Sequence, residues 1–202
     1  SDPNGQPIGC GLGNGIGANI EAMAPLAEML PDRDFLTFDM PGVGGSPEPF
    51  IPYNAWMMGR ISEQLLDRYD MNQVDVMGVS WGGAMAQQFT LQNGPRVRRL
   101  ILAATTAGML MVPGNPKALA KMADPRRYMD PDFMRKHFNT LYGGSDDGSE
   151  GHIGRIKPPS KAGYFYQLMA MMGWTSAPFL PFMKHETLIM MGGDDQIVPL
   201  AN

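Results

Sequence analysis

The segment VDVMGVSWGG, residues 74–83, decides how this chain is read. Val74 to Val79 is a short apolar run rich in valine, the composition of a buried strand. Directly after it, Ala84, Met85 and Phe89 recur at helical spacing, so a helix must start within a few residues of the strand's end. Ser80 falls at the bend, with Gly78 and Gly82 two positions either side. So sharp a turn calls for glycine there, because a side chain would crowd the neighbouring backbone. A serine lifted on such a bend can serve as a nucleophile; the alternative is a serine that only shapes a tight turn.

Working outward, the neighbouring segments alternate strand with helix. Asp34 to Phe38 reads as a strand running into the glycine-rich DMPGVGGS, residues 39–46, where Asp39 is expected to bind backbone N–H groups. Asn54 opens an amphipathic helix that ends near Tyr69. Upstream, Ile20 to Leu30 reads as a helix with Asn19 as its N-cap and Pro31 as its stop. Earlier still, Ile8, Cys10 and Leu12 alternate with Gly9, Gly11 and Gly13, which weakens any strand there. Downstream of the serine, the helix Ala84 to Gln92 closes at Asn93 and Gly94, and Arg99 to Ala104 is a further buried strand. The fold class is therefore α/β, a mostly parallel sheet with helices on both faces.

From residue 105 to 186 the pattern turns helical and proline-rich. Asn115 with Pro116, Asp130 with Pro131, and Ser160 read as helix starts, and Gly143 and Gly173 as stops. We expect a helical cap inserted between two core strands, which divides the chain into a first core part (1–104), the cap (105–186) and a last core strand with its loop (187–202). Tyr164, Phe165, Tyr166, Trp174, Phe179 and Phe182 either pack the cap on the body or line a cleft beneath it. The 19 methionines pose the same alternative: core filling, or an adaptable cleft lined by Met109, Met111, Met169, Met171 and Met172.

Bulk properties exclude several classes. A net charge of -4 with 16 Lys plus Arg gives no basic stripe, so nucleic acid is not an expected partner. The longest apolar stretch, Leu100 to Val112, is too short for a bilayer that needs about 20 residues. The single Cys10 cannot form an internal disulfide, which fits a reducing, cytoplasmic setting. One competing motif stands in the chain: Gly13, Gly15 and Ala18 satisfy G-x-G-x-x-A, with Asp39 about 20 residues on, as a dinucleotide-binding NAD(P) oxidoreductase would have it. The weak strand before Gly13, and a serine bend that a dehydrogenase has no use for, argue against it.

The strand–serine–helix junction resembles the nucleophile elbow of the α/β-hydrolases. The resemblance narrows with NGIGAN (14–19), FDMPGVGGS (38–46), MGVSWGGAMAQQF (77–89), LAATTAG (102–108), MVPGNPKAL (111–119) and GWTS (173–176), which look like intracellular medium-chain-length poly(3-hydroxyalkanoate) depolymerases. The resemblance implies a serine hydrolase that attacks the ester links of an aliphatic polyester through an acyl-enzyme on Ser80. It implies an oxyanion hole made by the N–H groups of Ile16 and Trp81. It implies a triad acid at the strand-end G-x-D-x-I-V-P pattern, which selects Asp195 over Asp194, the alternative being a turn aspartate. No metal or organic cofactor is implied, and association with storage granules is. Other readings kept open are a small-ester or lactone hydrolase and a non-catalytic granule-binding protein.

The expected order is serine, aspartate, histidine, yet no histidine follows Asp195. His137 reads as a solvated or packing residue, His152 as exposed in a polar loop, and His185 as sitting at the wrong end of a strand. The reading therefore expects a polypeptide incomplete at both termini, lacking the catalytic histidine and inactive by itself.

Overall fold

The structure, a computed structural model, describes residues 8–11, 16–144 and 149–202. Five strands form one parallel sheet in the order β2-β1-β3-β4-β5: β1 (Ile8–Gly11), β2 (Phe35–Thr37), β3 (Val74–Val79), β4 (Val97–Ala103) and β5 (Glu186–Met190). The glycine-alternating run expected to be a poor strand is thus a strand after all. It lies between two neighbours and takes its backbone partners from both, so pairing overrides its weak propensity.

Helix α1 (Ala24–Glu28), reached through a 3-10 turn at Ile20–Met23, leads from β1 to β2. It is shorter than expected, and Asn19 does not cap it. The Asn19 side chain instead accepts from the Lys157 N–H at 3.1 Å. Helix α2 (Ala55–Arg68) follows the expectation, with Asn54 Oδ1 accepting from Met57 N–H at 2.9 Å. Helix α3 (Trp81–Gln92) begins directly after the serine. Between β4 and β5 come α4 (Pro116–Ala123), α5 (Arg126–Met129), α6 (Pro131–Tyr142), α7 (Ser149–Ile153) and α8 (Lys161–Met171). Asn115, Asp130 and Ser160 each accept a backbone N–H from the first turn of the helix they precede, as the sequence signals demand.

Burial follows the layers. Leu66 of α2, Val74 and Val76 of β3, Phe89 of α3 and Leu100 of β4 form one cluster under the sheet. Each such side chain contributes about 2 kcal/mol by leaving water. Met40, Val43, Met58, Trp81 and Met85 form a second cluster that also takes in Ala170 of α8. A third joins Ala118, Met134 and Leu141 to Ile197 and Val198, so the loop after β5 packs on helices α4 and α6. The sheet is not covered throughout: every residue of β5 is exposed, with Ile189 at 66%. No helix among the described residues is long and apolar enough to cross a membrane.

The helices after β4 dock on the body through close backbone contact. The Ser160 N–H donates to Gly42 O at 2.8 Å. A Cβ on Gly163 would lie 2.4 Å from that same oxygen, and one on Gly42 would lie 2.5 Å from Gly163 Cα. Only paired glycines permit so near an approach.

Candidate active site

Strand β3 lies beside β1 in the middle of the sheet, and the chain leaves both at the same, carboxyl end. In open parallel sheets that crevice, where the strand order turns back, is where ligands bind. Ser80 stands there with φ 53° and ψ -118°, a conformation an L-residue adopts only under constraint. Its backbone is held on both sides: Ser80 N–H donates to Ala103 O at 2.8 Å, and Ser80 O accepts from Gly83 N–H at 2.9 Å and from Thr105 Oγ1 at 2.7 Å.

The steric reason for glycine is visible at two positions. A Cβ on Gly78 would meet Gly82 O at 2.2 Å, and one on Gly83 would meet Thr105 Cβ at 2.5 Å. The crowding expected at Gly78 is present, and Gly83 shares it.

Ser80 opens into a cavity of about 390 Å³ that is walled by residues from the sheet ends and from the helices after β4. Ile16, Trp81 and Asp195 line the same cavity. Trp81 is the first residue of α3, so its N–H has no carbonyl one turn earlier to reach. Its indole Nε1 donates to Gln167 O at 3.1 Å, which fixes the side chain against α8.

Ile16 is gripped through its carbonyl. Arg127 Nη2 donates to Ile16 O at 2.7 Å, and the Tyr128 hydroxyl donates to the same oxygen. The next N–H, that of Gly17, donates to Gln167 Oε1 at 2.6 Å, and a Cβ on Gly17 would strike the Tyr128 ring at 2.7 Å. The loop after β1 is therefore held from above by α5 and α8.

Asp195 is half-buried, and its Oδ1 accepts from the Ile197 and Val198 N–H groups, both at 2.8 Å. Its neighbour Asp194 is exposed and accepts from Gly144 N–H at 3.2 Å, outside the cavity lining. Gly114 fits under the Asp195 loop because a Cβ there would meet Ile197 O at 2.2 Å.

Not every expectation survives. His152, read as exposed, is half-buried in the cavity wall, edge-on to Phe138 and Tyr142. Burial, with Arg127 and Arg155 nearby, holds its imidazole below the ordinary value of 6.5. His137 stacks on Phe133, and His185 Nε2 contacts Gly94 O at 3.0 Å before β5, away from the serine. None of the three hydrogen-bonds Ser80 or Asp195. Of the methionines singled out, Met111 and Met171 line the cavity, whereas Met109 and Met172 are exposed. None of the six aromatic residues named for the cleft lines it; Trp81, Tyr128 and Tyr142 do. Trp81 is expected there through its backbone N–H, whereas Tyr128 and Tyr142 lie in helical contexts that carry no cleft signal.

The rival dinucleotide motif rests on Gly13 and Gly15, which lie outside the described residues. Its acidic residue is committed elsewhere: Asp39 Oδ1 accepts from Ile20 N–H at 2.7 Å and Oδ2 from Gly45 N–H at 2.8 Å. No group of three or more potential metal-ligating side chains occurs among the described residues.

The family profile described as alpha/beta hydrolase fold matches residues 11–143. The chain belongs to the α/β-hydrolase family. The hydrolase is 44% identical over 194 residues to a poly(3-hydroxyalkanoate) depolymerase of Ectopseudomonas oleovorans, a match covering 94% of this chain and 69% of that protein. It is 27% identical to a 2-hydroxy-6-oxo-2,4-heptadienoate hydrolase of Pseudomonas putida, covering 98% of this chain and 78% of the relative. Among solved structures, an esterase from Exiguobacterium antarcticum superposes with a TM-score of 0.79 at 22% identity, over 98% of this chain and 77% of that one. These relations make it a carboxylic ester hydrolase by family, related to the poly(3-hydroxyalkanoate) depolymerases.

Proposed function

We propose that the hydrolase cleaves the ester bonds of an aliphatic poly(3-hydroxyalkanoate) through an acyl-enzyme on Ser80. The observation that carries this reading is the strained backbone of Ser80, φ 53°, at the mouth of a cavity that Asp195 also lines. Ser80 Oγ attacks the ester carbonyl, and the N–H groups of Trp81 and Ile16 receive the oxyanion that develops. Asp195 serves to orient and stabilise an imidazole that takes the serine proton and passes it to the departing alcohol.

Among the described residues no histidine hydrogen-bonds either group, and that imidazole is assigned to none of the three. A serine without a base is a poor nucleophile, and this polypeptide by itself is expected to hydrolyse esters negligibly.

The division into a core of residues 1–104, a cap of 105–186 and a closing strand and loop of 187–202 belongs to the same proposal. The cap supplies Leu119, Met122, Leu168 and Met171 to a cavity wall that is mostly apolar, which suits an aliphatic acyl chain. Association with storage granules would bring the polymer to that cavity.

The test uses a form of the protein that is competent in ester hydrolysis. Short acyl p-nitrophenyl esters and suspensions of the polyester should both be cleaved, and Ser80→Ala should lower the rate by on the order of 10⁴-fold or more. Cleavage of the small esters alone would make it a general esterase. Activity that survives Ser80→Ala would overturn the mechanism.

A further inference from the structure

Arg127 is a cation only 5% exposed, set in the wall of the Ser80 cavity. Burying a guanidinium costs several kcal/mol unless an opposite charge compensates it. Among the described residues no carboxylate pairs with it. Its Nη2 reaches only neutral acceptors, Ile16 O at 2.7 Å and the Tyr128 hydroxyl at 2.6 Å. Its Nε is buried with no hydrogen-bond partner among the described residues.

A second polar group is in the same condition. His152 lines the same cavity, and its Nε2 is also buried without a hydrogen-bond partner among the described residues. Its ring is kept neutral near pH 7 by burial and by Arg127 and Arg155, so one ring nitrogen carries a proton it can donate. Two unpaired polar groups in a mostly apolar cavity fit a ligand with an anionic head and an aliphatic tail.

We propose that Arg127, with Tyr128 and His152 beside it, is a carboxylate subsite inside the Ser80 cavity, filled by the free carboxyl end of a hydroxyacid oligomer or by the hydroxyacid released from it. The assignment of an oligomer rests on the hydrolase reading given above; the carboxylate subsite does not. A carboxylate oxygen makes a charge-assisted hydrogen bond with a guanidinium N–H, and Nε is the Arg127 donor left without an acceptor among the described residues.

Ile16 sets the scale between the two ends of the site. Its carbonyl holds Arg127, while its N–H is the proposed oxyanion donor. In a 3-hydroxyacid dimer the attacked carbonyl carbon and the terminal carboxyl carbon are four bonds apart, at most roughly 6 Å at about 1.5 Å per bond. Ser80 and Arg127 line one cavity, so a single dimer can engage both. The consequence is a preference for the carboxyl end of the chain.

Isothermal titration of the purified protein with 3-hydroxydecanoate and with its neutral methyl ester tests this. The acid is expected to bind about tenfold tighter or more, the value of hydrogen bonds to a charged group. That gap should vanish in Arg127→Gln, remain in part in Arg127→Lys, and be unchanged in Ser80→Ala. Equal binding of acid and ester by the unaltered protein, or no saturable binding of the acid, overturns the proposal. So does a gap that persists in a folded Arg127→Gln. Should that variant fail to fold, the acid-to-ester comparison in the unaltered protein and in Arg127→Lys decides alone. Failure of the Ser80 mechanism shows separately, as hydrolysis that survives Ser80→Ala while the carboxylate preference stays intact.

Discussion

The two walls of the Ser80 cavity are built in different ways. On the floor, Ser80 and Trp81 are placed by contacts within the strand–helix unit and its adjoining strand: Gly78 against Gly82, Gly83 against Thr105, Ser80 N–H on Ala103 O. On the roof, Ile16 and Gly17 are held by Arg127, Tyr128 and Gln167, partners more than a hundred residues away in sequence. The floor is a local turn under strain. The roof is a set of buried hydrogen bonds that exists only once the helices after β4 have docked.

This contrast predicts where damage is felt. The largest effect should come from Gly78→Ala, since its methyl group would meet backbone 2.2 Å away that cannot step aside. A loss of about 3 kcal/mol or more is expected, read as a fall in Tm of roughly 6 °C or more. Tolerance of that change would mean the floor is not strained.

Gln167→Leu attacks the roof instead. It deprives the buried Gly17 N–H of its acceptor at 2.6 Å, at a cost of about 2 kcal/mol in denaturant unfolding. It should also lower kcat of a competent enzyme more than it raises KM, because the adjacent Ile16 N–H is needed only when the oxyanion forms. Equal stability of Gln167→Leu and the parent would remove the roof from the account.

Smaller still is Asp130→Ala, which takes the cap from α6 by removing the acceptor of the Asp132 and Phe133 N–H groups. About 1 kcal/mol should be lost, with hydrolysis nearly unchanged.

The mildest effect concerns pH. His152 has a folded pKa below its ordinary 6.5, so the unfolded chain binds more protons in the interval between the two values. Its contribution is therefore intact above about pH 6.5 and is lost as pH falls through that interval. Comparison of melting curves at pH 7.5 and 5.5 should show a smaller acid loss in His152→Phe than in the parent.

How far the sequence was legible follows the same division. The strand Val74–Val79, the bend at Ser80, the Asn115, Asp130 and Ser160 helix starts and the stop at Gly143 all rest on signals carried by neighbouring residues. Such signals can be read from a single chain, because the interactions they report span only a few positions. The strand Ile8–Gly11 was obscured, since its glycines have weak propensity and its stability comes from β2 and β3 on either side. The length of α1 and the role of Asn19 are hidden for a like reason, as the asparagine accepts from the Lys157 N–H, 138 residues away.

Sequence alone thus determined the order of elements and the candidate nucleophile and acid, because turns, caps and the strand-end motif act locally. Tertiary structure decided which side chains meet at the cavity: Arg127, Tyr128, His152 and Gln167 stand in ordinary helical contexts and acquire a role only by being carried over Ile16 and Ser80. The physical reason is that a buried polar group must find its partner wherever packing puts one, and no local pattern records that distance.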